Sequence, residues 1–169
     1  MKKQEIINIY KEAFEEYLPF EEKLFGKALE YVEFLEDEGT AKSILFLLPC
    51  TLDTPKGEIP AKYIFAAATK ATDRKKGYME KLLERIKNEN SEFLFLRPAS
   101  QKLEEYYKKI GFQSFVGTSD DEKFKIKPSY IMEYLSEGIT EKQGSTFVLM
   151  YYYKNEIDIN KMSFIYSME

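Results

Sequence analysis

Three consecutive cations and a glycine, Arg74-Lys75-Lys76-Gly77, stand together in this chain, and their shared chemistry is that of an anion cradle. The cations supply charge, while a glycine lets backbone N–H groups approach a bound oxygen closely. Where such a stretch opens a helix, the first N–H groups lack intrahelical partners and the helix dipole adds partial positive charge. A pyrophosphate suits that arrangement. The plain alternative, a surface turn that happens to carry basic residues, stands beside it. A second candidate is Tyr107, four residues ahead of Gly111-Phe112. A phenol with a reference pKa of about 10 is protonated at neutral pH and can serve as a proton donor. A structural role is open as well: Gly111 would end a helix in a left-handed conformation, with Tyr106 and Tyr107 partly in the core.

The composition narrows the chemistry further. The chain has no histidine, so Ser-His or Cys-His nucleophilic machinery and the usual His-containing zinc sites are ruled out. Cys50 is the single cysteine, which excludes an intramolecular disulfide and a thiolate metal cluster within one chain; in Leu47-Leu48-Pro49-Cys50 it reads as a small buried hydrophobe. No metal is expected. A net charge of -4 argues against nucleic acid as a partner and suits a cationic one. With 169 residues, 13 Tyr and 13 Phe, the chain is long enough for one core and short for two, so a single domain over residues 1–169 is expected. No apolar run approaches the roughly 18 to 20 residues of a membrane span, and the first residues read as an amphipathic pattern. The expectation is a soluble, cytoplasmic protein without membrane association.

These candidates need elements to hold them. Ile6, Tyr10, Ala13, Phe14 and Tyr17 recur at helical spacing, predicting a helix from about Lys3 to Leu18, a break at Pro19, and a short helical piece over Phe20 to Gly26. Strands are expected over Ala28 to Leu35, Ala41 to Thr51 (with a break near Pro49) and Ala61 to Thr69, forming an antiparallel meander with turns at Glu36-Asp37-Glu38-Gly39 and Asp53 to Gly57. A helix from about Gly77 to Asn88 and a strand over Glu92 to Leu96 complete a strand-helix-strand unit. Ser100 reads as the N-cap of a helix that stops at Gly111, with a strand over Phe112 to Val116. Pro128 to Leu135 reads as helical and Thr146 to Tyr153 as a strand; the tail from Ile157 to Met168 pairs as a strand or packs on a second subunit.

The run Arg74-x-x-Gly77-x-Met79, after a strand and opening a helix, resembles the pyrophosphate signature of the GNAT superfamily of N-acetyltransferases: Gln or Arg, two residues, Gly, one residue, then Gly or Ala. Tyr107 ahead of Gly111-Phe112 is similar to the second landmark of that superfamily. The resemblance is strongest over residues 28–116. It implies an α/β (α+β) fold with a mixed, mostly antiparallel central sheet flanked by helices, and acetyl-CoA as donor. By the same resemblance the backbone of Ala67, Ala68 and Thr69 would hold the pantetheine arm, and Arg74, Lys75, Lys76, Gly77, Tyr78 and Met79 would hold the pyrophosphate. Ser100 stands where many members place an Asn that contacts the cofactor arm, and Tyr107 would protonate the leaving thiolate. Met79, bulky where a small residue is usual, resembles the branch of the enhanced-intracellular-survival acetyltransferases.

The implied activity is direct transfer of an acetyl group from acetyl-CoA to a primary amine of a small molecule or peptide, with a backbone amide near Ala67 facing the developing oxyanion. A lysine-like amine costs about 4.6 kcal/mol to deprotonate at neutral pH, so a base or water chain is required. Pro60 to Thr72 offers no carboxylate, and the resemblance to the enhanced-intracellular-survival branch leaves the terminal carboxylate at Glu169 as a candidate. The acidic runs Glu12 to Tyr17 and Ser119 to Glu122 would either attract a cationic acceptor or serve as solvated faces. Two other classes stand open: a GNAT-shaped module that binds CoA or another anion without turnover, and an assembly protein whose Tyr151-Tyr152-Tyr153 forms a homodimer surface.

Overall fold

A computed structural model describes residues 2–14, 18–54, 57–118, 125–136 and 146–155. Five helices and seven strands occur among them: α1 (Lys3–Ala13), α2 (Leu18–Lys27), β1 (Val32–Asp37), β2 (Thr40–Thr54), β3 (Gly57–Thr69), α3 (Tyr78–Glu89), β4 (Phe93–Leu96), α4 (Gln101–Lys109), β5 (Gln113–Thr118), β6 (Lys125–Pro128), α5 (Tyr130–Ser136) and β7 (Thr146–Tyr152). The strands are hydrogen-bonded in the order β1-β2-β3-β4-β7-β5, with β6 pairing β2. The β3/β4 pair is parallel, as a strand-helix-strand unit requires; β1/β2, β2/β6, β4/β7 and β5/β7 are antiparallel. The mixed, mostly antiparallel α/β class expected from the sequence is therefore the one observed. The chain divides into two compact units, Met1–Leu48 with Ile64–Glu89, and Pro49–Tyr63 with Asn90–Glu169.

In the first unit, α1 buries Ile6, Ile9 and Tyr10 and ends at Ala13, earlier than its apolar spacing suggested, because Phe14 is already extended. Phe14 keeps its apolar role by packing its ring on Tyr10 at 5.0 Å. Pro19 does not follow a helix but stands second in α2, where its missing N–H would have had no intrahelical partner. A 3-10 turn at Leu29–Tyr31 takes the place of the first residues expected in β1. The β1/β2 hairpin closes through Glu38 and Gly39, both at positive φ (54° and 79°), the conformation that matches strand twist in a two-residue loop. Helix α3 sinks Leu82, Leu83 and Ile86, and Arg85 ties it to β1 through Glu33 Oε2 (3.2 Å) and the Phe34 carbonyl (3.1 Å).

The second unit is built on β4, whose four residues are all buried, so its apolar run is continuous and not alternating. Phe93 stacks on Tyr151 at 5.5 Å and Phe95 meets Tyr63 edge-on at 5.0 Å. The tyrosines considered for a dimer surface are engaged within the chain: Tyr151 is buried and donates to Gln113 at 2.7 Å, Tyr152 packs against Phe112, and Tyr153 against Phe93. Strand β6, unforeseen in the sequence, pairs with Cys50–Asp53. Pro49 does not break β2. It falls between the residues that pair with β1, which end at Phe46, and those that pair with β6, which begin at Cys50, so neither ladder requires its missing N–H. Cys50 is buried, and burial pushes its thiol up to about 12, leaving it unreactive.

Candidate functional site

The end of β3 departs from regular strand geometry. Ala66 has φ 54°, a left-handed conformation that a non-glycine residue adopts at a cost of roughly 1–3 kcal/mol. The burial pattern breaks there: Tyr63, Ile64 and Phe65 are all buried, Ala66 and Ala67 are both partly exposed, and Ala68 is buried again. The kink turns the Ala67 backbone relative to the preceding strand. Ala67 and Thr69 share the more open face, while the Ala68 side chain points into the core. Thr69 is anchored by a 2.8 Å hydrogen bond between its hydroxyl and that of Ser43, and the next residue donates from Lys70 N to the Lys42 carbonyl at 2.8 Å.

The chain then makes a 3-10 turn at Ala71–Asp73 and passes through Arg74 to Gly77 into α3. Lys75 (φ 65°) and Gly77 (φ 83°) are both left-handed. A Cβ at Gly77 would meet nothing within 4 Å, so backbone conformation and not space calls for glycine there. The first intrahelical hydrogen bond runs from Lys81 N to the Gly77 carbonyl, so the N–H groups of Tyr78, Met79 and Glu80 precede the helical ladder. Arg74, Lys75 and Lys76 are exposed around them. Arg74 Nε donates to the Thr69 carbonyl at 3.3 Å, closing the turn on the strand it leaves. Glu12 of α1 accepts the Ala71 N–H at 2.8 Å. Tyr78 donates to Asp37 at 2.8 Å, and that hydrogen bond, more than burial, raises its phenol above the ordinary range.

Asp73 was not apparent as a site residue in the sequence, where it reads as one more turn residue. It is buried between Lys42 and Lys76. Burial alone would raise its carboxyl, but the hydrogen bond from Lys76 and the charge of Lys42 outweigh that and hold it below the usual carboxylate range. The one sequence signal was an acid inside an otherwise cationic turn.

Ser100 and Tyr107 belong to the second unit, on one helix. Ser100 is extended and its Oγ accepts the Leu103 N–H at 3.2 Å, the N-cap bond expected of it. At the other end Gly111 has φ 100°; Phe112 N donates to the Tyr107 carbonyl (3.1 Å) and Gly111 N to that of Lys108 (3.0 Å). These two bonds form a Schellman cap, and the accompanying apolar contact is Phe112 against the Tyr107 ring at 5.8 Å. Gly111-Phe112 therefore fixes the backbone and ring of Tyr107, which is 7% exposed. The tail with Glu169, the run Ser119 to Glu122 and Glu15 to Tyr17 lie outside the described residues.

Comparison with known proteins gives the family of the chain. A sequence profile of the family described as "Acetyltransferase (GNAT) domain" matches residues 2–115, a stretch that includes residues of both units. No curated protein matches the chain. Among solved structures, a GCN5-related N-acetyltransferase from Anabaena variabilis ATCC 29413 is similar, with 25% identity over 70% of this chain and 32% of its own, and a TM-score of 0.56. The structure described as histone acetyltransferase HPA2 and related acetyltransferase, from Corynebacterium glutamicum ATCC 13032, shares the fold at 18% identity over 92% of each chain (TM-score 0.57). Eis1 from Mycobacterium abscessus shares it at 13% identity over 70% of this chain and 31% of its own (TM-score 0.51). The chain spans about a third of the length of the Anabaena protein and of Eis1. With a profile that takes in the kinked strand, the cationic turn and the capped tyrosine helix alike, the chain belongs to the GNAT family of N-acetyltransferases.

Proposed function

We propose that this chain transfers an acetyl group from acetyl-CoA directly to a primary amine of a small-molecule or peptide acceptor, a cationic one being favoured by the net charge of -4. The observation that carries the reading is the turn from Thr69 to Met79, where left-handed Lys75 and Gly77 and the opening of α3 present backbone N–H groups amid three exposed cations. Those groups fit a pyrophosphate. In this reading Arg74 to Met79 hold it, and the backbone of Ala67, Ala68 and Thr69, on the strand that kinks at Ala66, holds the pantetheine arm. Ser100 adds a contact to that arm.

The chemistry assigned to the chain needs no covalent enzyme intermediate. The neutral acceptor amine attacks the thioester carbonyl, forming the C–N bond; the C–S bond then breaks with its electron pair on sulfur, Tyr107 gives sulfur its proton, the nitrogen sheds a proton to water, and solvent returns a proton to the Tyr107 phenolate. A backbone N–H near Ala67 meets the oxyanion, and one such donor is typically worth about 3 kcal/mol of barrier. Release of free CoA thiol, followed against a broad panel of amines, tests this. Turnover is expected with at least one amine, and Tyr107→Phe should lower kcat by about a hundredfold while acetyl-CoA affinity holds. Tight cofactor binding without turnover across the panel would instead mark a binding module.

A further inference from the structure

The two oxygens of the Asp73 carboxylate each face an ammonium. Oδ1 accepts a hydrogen bond from Lys76 Nζ at 3.2 Å, and Oδ2 lies 3.6 Å from Lys42 Nζ. The two lysines differ in setting: the Lys42 side chain is 10% exposed and that of Lys76 is 56% exposed. Lys42 and Asp73 thus make a buried pair whose charges cancel without help, and Lys76 is a surplus cation at the surface. An ammonium has three N–H donors, so Lys76 can stay on Asp73 and still donate elsewhere. Around this trio stand Tyr78, with Lys42 and Lys81 near its ring at 5.9 and 5.7 Å, Asp37 on the Tyr78 hydroxyl, and Glu12 on the Ala71 N–H.

We propose that Asp73, fixed by the buried Lys42, is a positioning residue of the cofactor turn: it holds Lys76 in place to donate to the pyrophosphate of acetyl-CoA. The inference rests on the use of this turn as the pyrophosphate site. A lysine stem is rich in rotamers, and freezing it opposes binding; a lysine already held has lost that freedom before the ligand arrives. The buried member of the pair is what makes the arrangement durable, because Asp73 keeps Lys42 as a counter-charge of its own while Lys76 shares its N–H donors between Asp73 and phosphate.

The test is a double-mutant cycle on binding, read by titration with inorganic pyrophosphate and, separately, with acetyl-CoA. Lys76→Met and Asp73→Asn should each weaken both ligands by about tenfold, the loss of one charge-assisted hydrogen bond, and the double variant should bind no more weakly than Lys76→Met alone. Should Asp73→Asn fail to fold because Lys42 is left buried and unpaired, Lys42→Met/Asp73→Asn removes both charges and should show the same loss and the same dependence on Lys76. Independent losses that multiply would make Asp73 merely structural, and tighter binding by Asp73→Asn would make it a competitor of the phosphate; either result overturns the proposal. A wild type that binds pyrophosphate but not acetyl-CoA would defeat the proposed function, and the pyrophosphate cycle would still decide the role of Asp73. A wild type that binds neither would overturn both.

Discussion

Tyr107 and Asp73 show what single residues add to this family fold. Tyr107 is held by the cap of its own helix, with its ring packed against those of Phe112 and Tyr106. Asp73 is held by charge. Its folded carboxyl titrates below the unfolded value near about 3.9, so the stability it contributes is complete above about pH 4 and is lost as pH falls through the lower folded value. Comparing urea unfolding of wild type and Asp73→Asn at pH 7 and at pH 3 should therefore show a larger gap at pH 7. An equal gap at both values would mean that the carboxylate is not held by the two lysines. The sequence made Tyr107 visible through its distance from Gly-Phe, but hid Asp73, because its partner Lys42 comes from β2, a strand distant in sequence.

Elements were legible where the signal is local. The two ends of α4 are the clearest case: Ser100 reads as its cap and Gly111 as its stop, and both geometries follow. Removing the Ser100 hydroxyl should cost about 1 kcal/mol, and Ser100→Ala should melt about 2–4 °C lower, as a thermal scan would show. Gly111→Ala, which forces a Cβ into left-handed backbone, should cost about 1–2 kcal/mol. A Ser100→Ala protein with unchanged melting would mean that the cap bond contributes nothing. Legibility failed where tertiary pairing overrides local cues. Pro49 and Pro19 both read as breaks, yet one sits between the β1 and β6 ladders and the other opens a helix, where an N–H has no intrahelical partner. Strand β6, only four residues long, has no pattern of its own and exists by pairing with β2. The kink at Ala66 leaves no mark in a run of three alanines.

At the scale of the whole molecule, the match over residues 2–115 gives the GNAT family and the sheet is mixed and mostly antiparallel; the turn at Thr69 to Met79 is the part of that fold proposed to take acetyl-CoA. No helix among the described residues is long and apolar enough to cross a membrane. The cationic turn was legible as a turn because it is a short local run between a strand and a helix, whereas the Lys42–Asp73 pair beside it joins segments far apart in sequence, which spacing does not encode. The central claim, that this chain binds acetyl-CoA through that turn, is tested most directly by thermal unfolding of the wild-type protein in a titration with acetyl-CoA. A ligand at a hundred times its Kd adds about 2.7 kcal/mol to the native state, so for a chain of this size the midpoint should rise by about 5–10 °C, and Gly77→Ala should shrink the rise. A midpoint that does not move at millimolar acetyl-CoA would contradict the account.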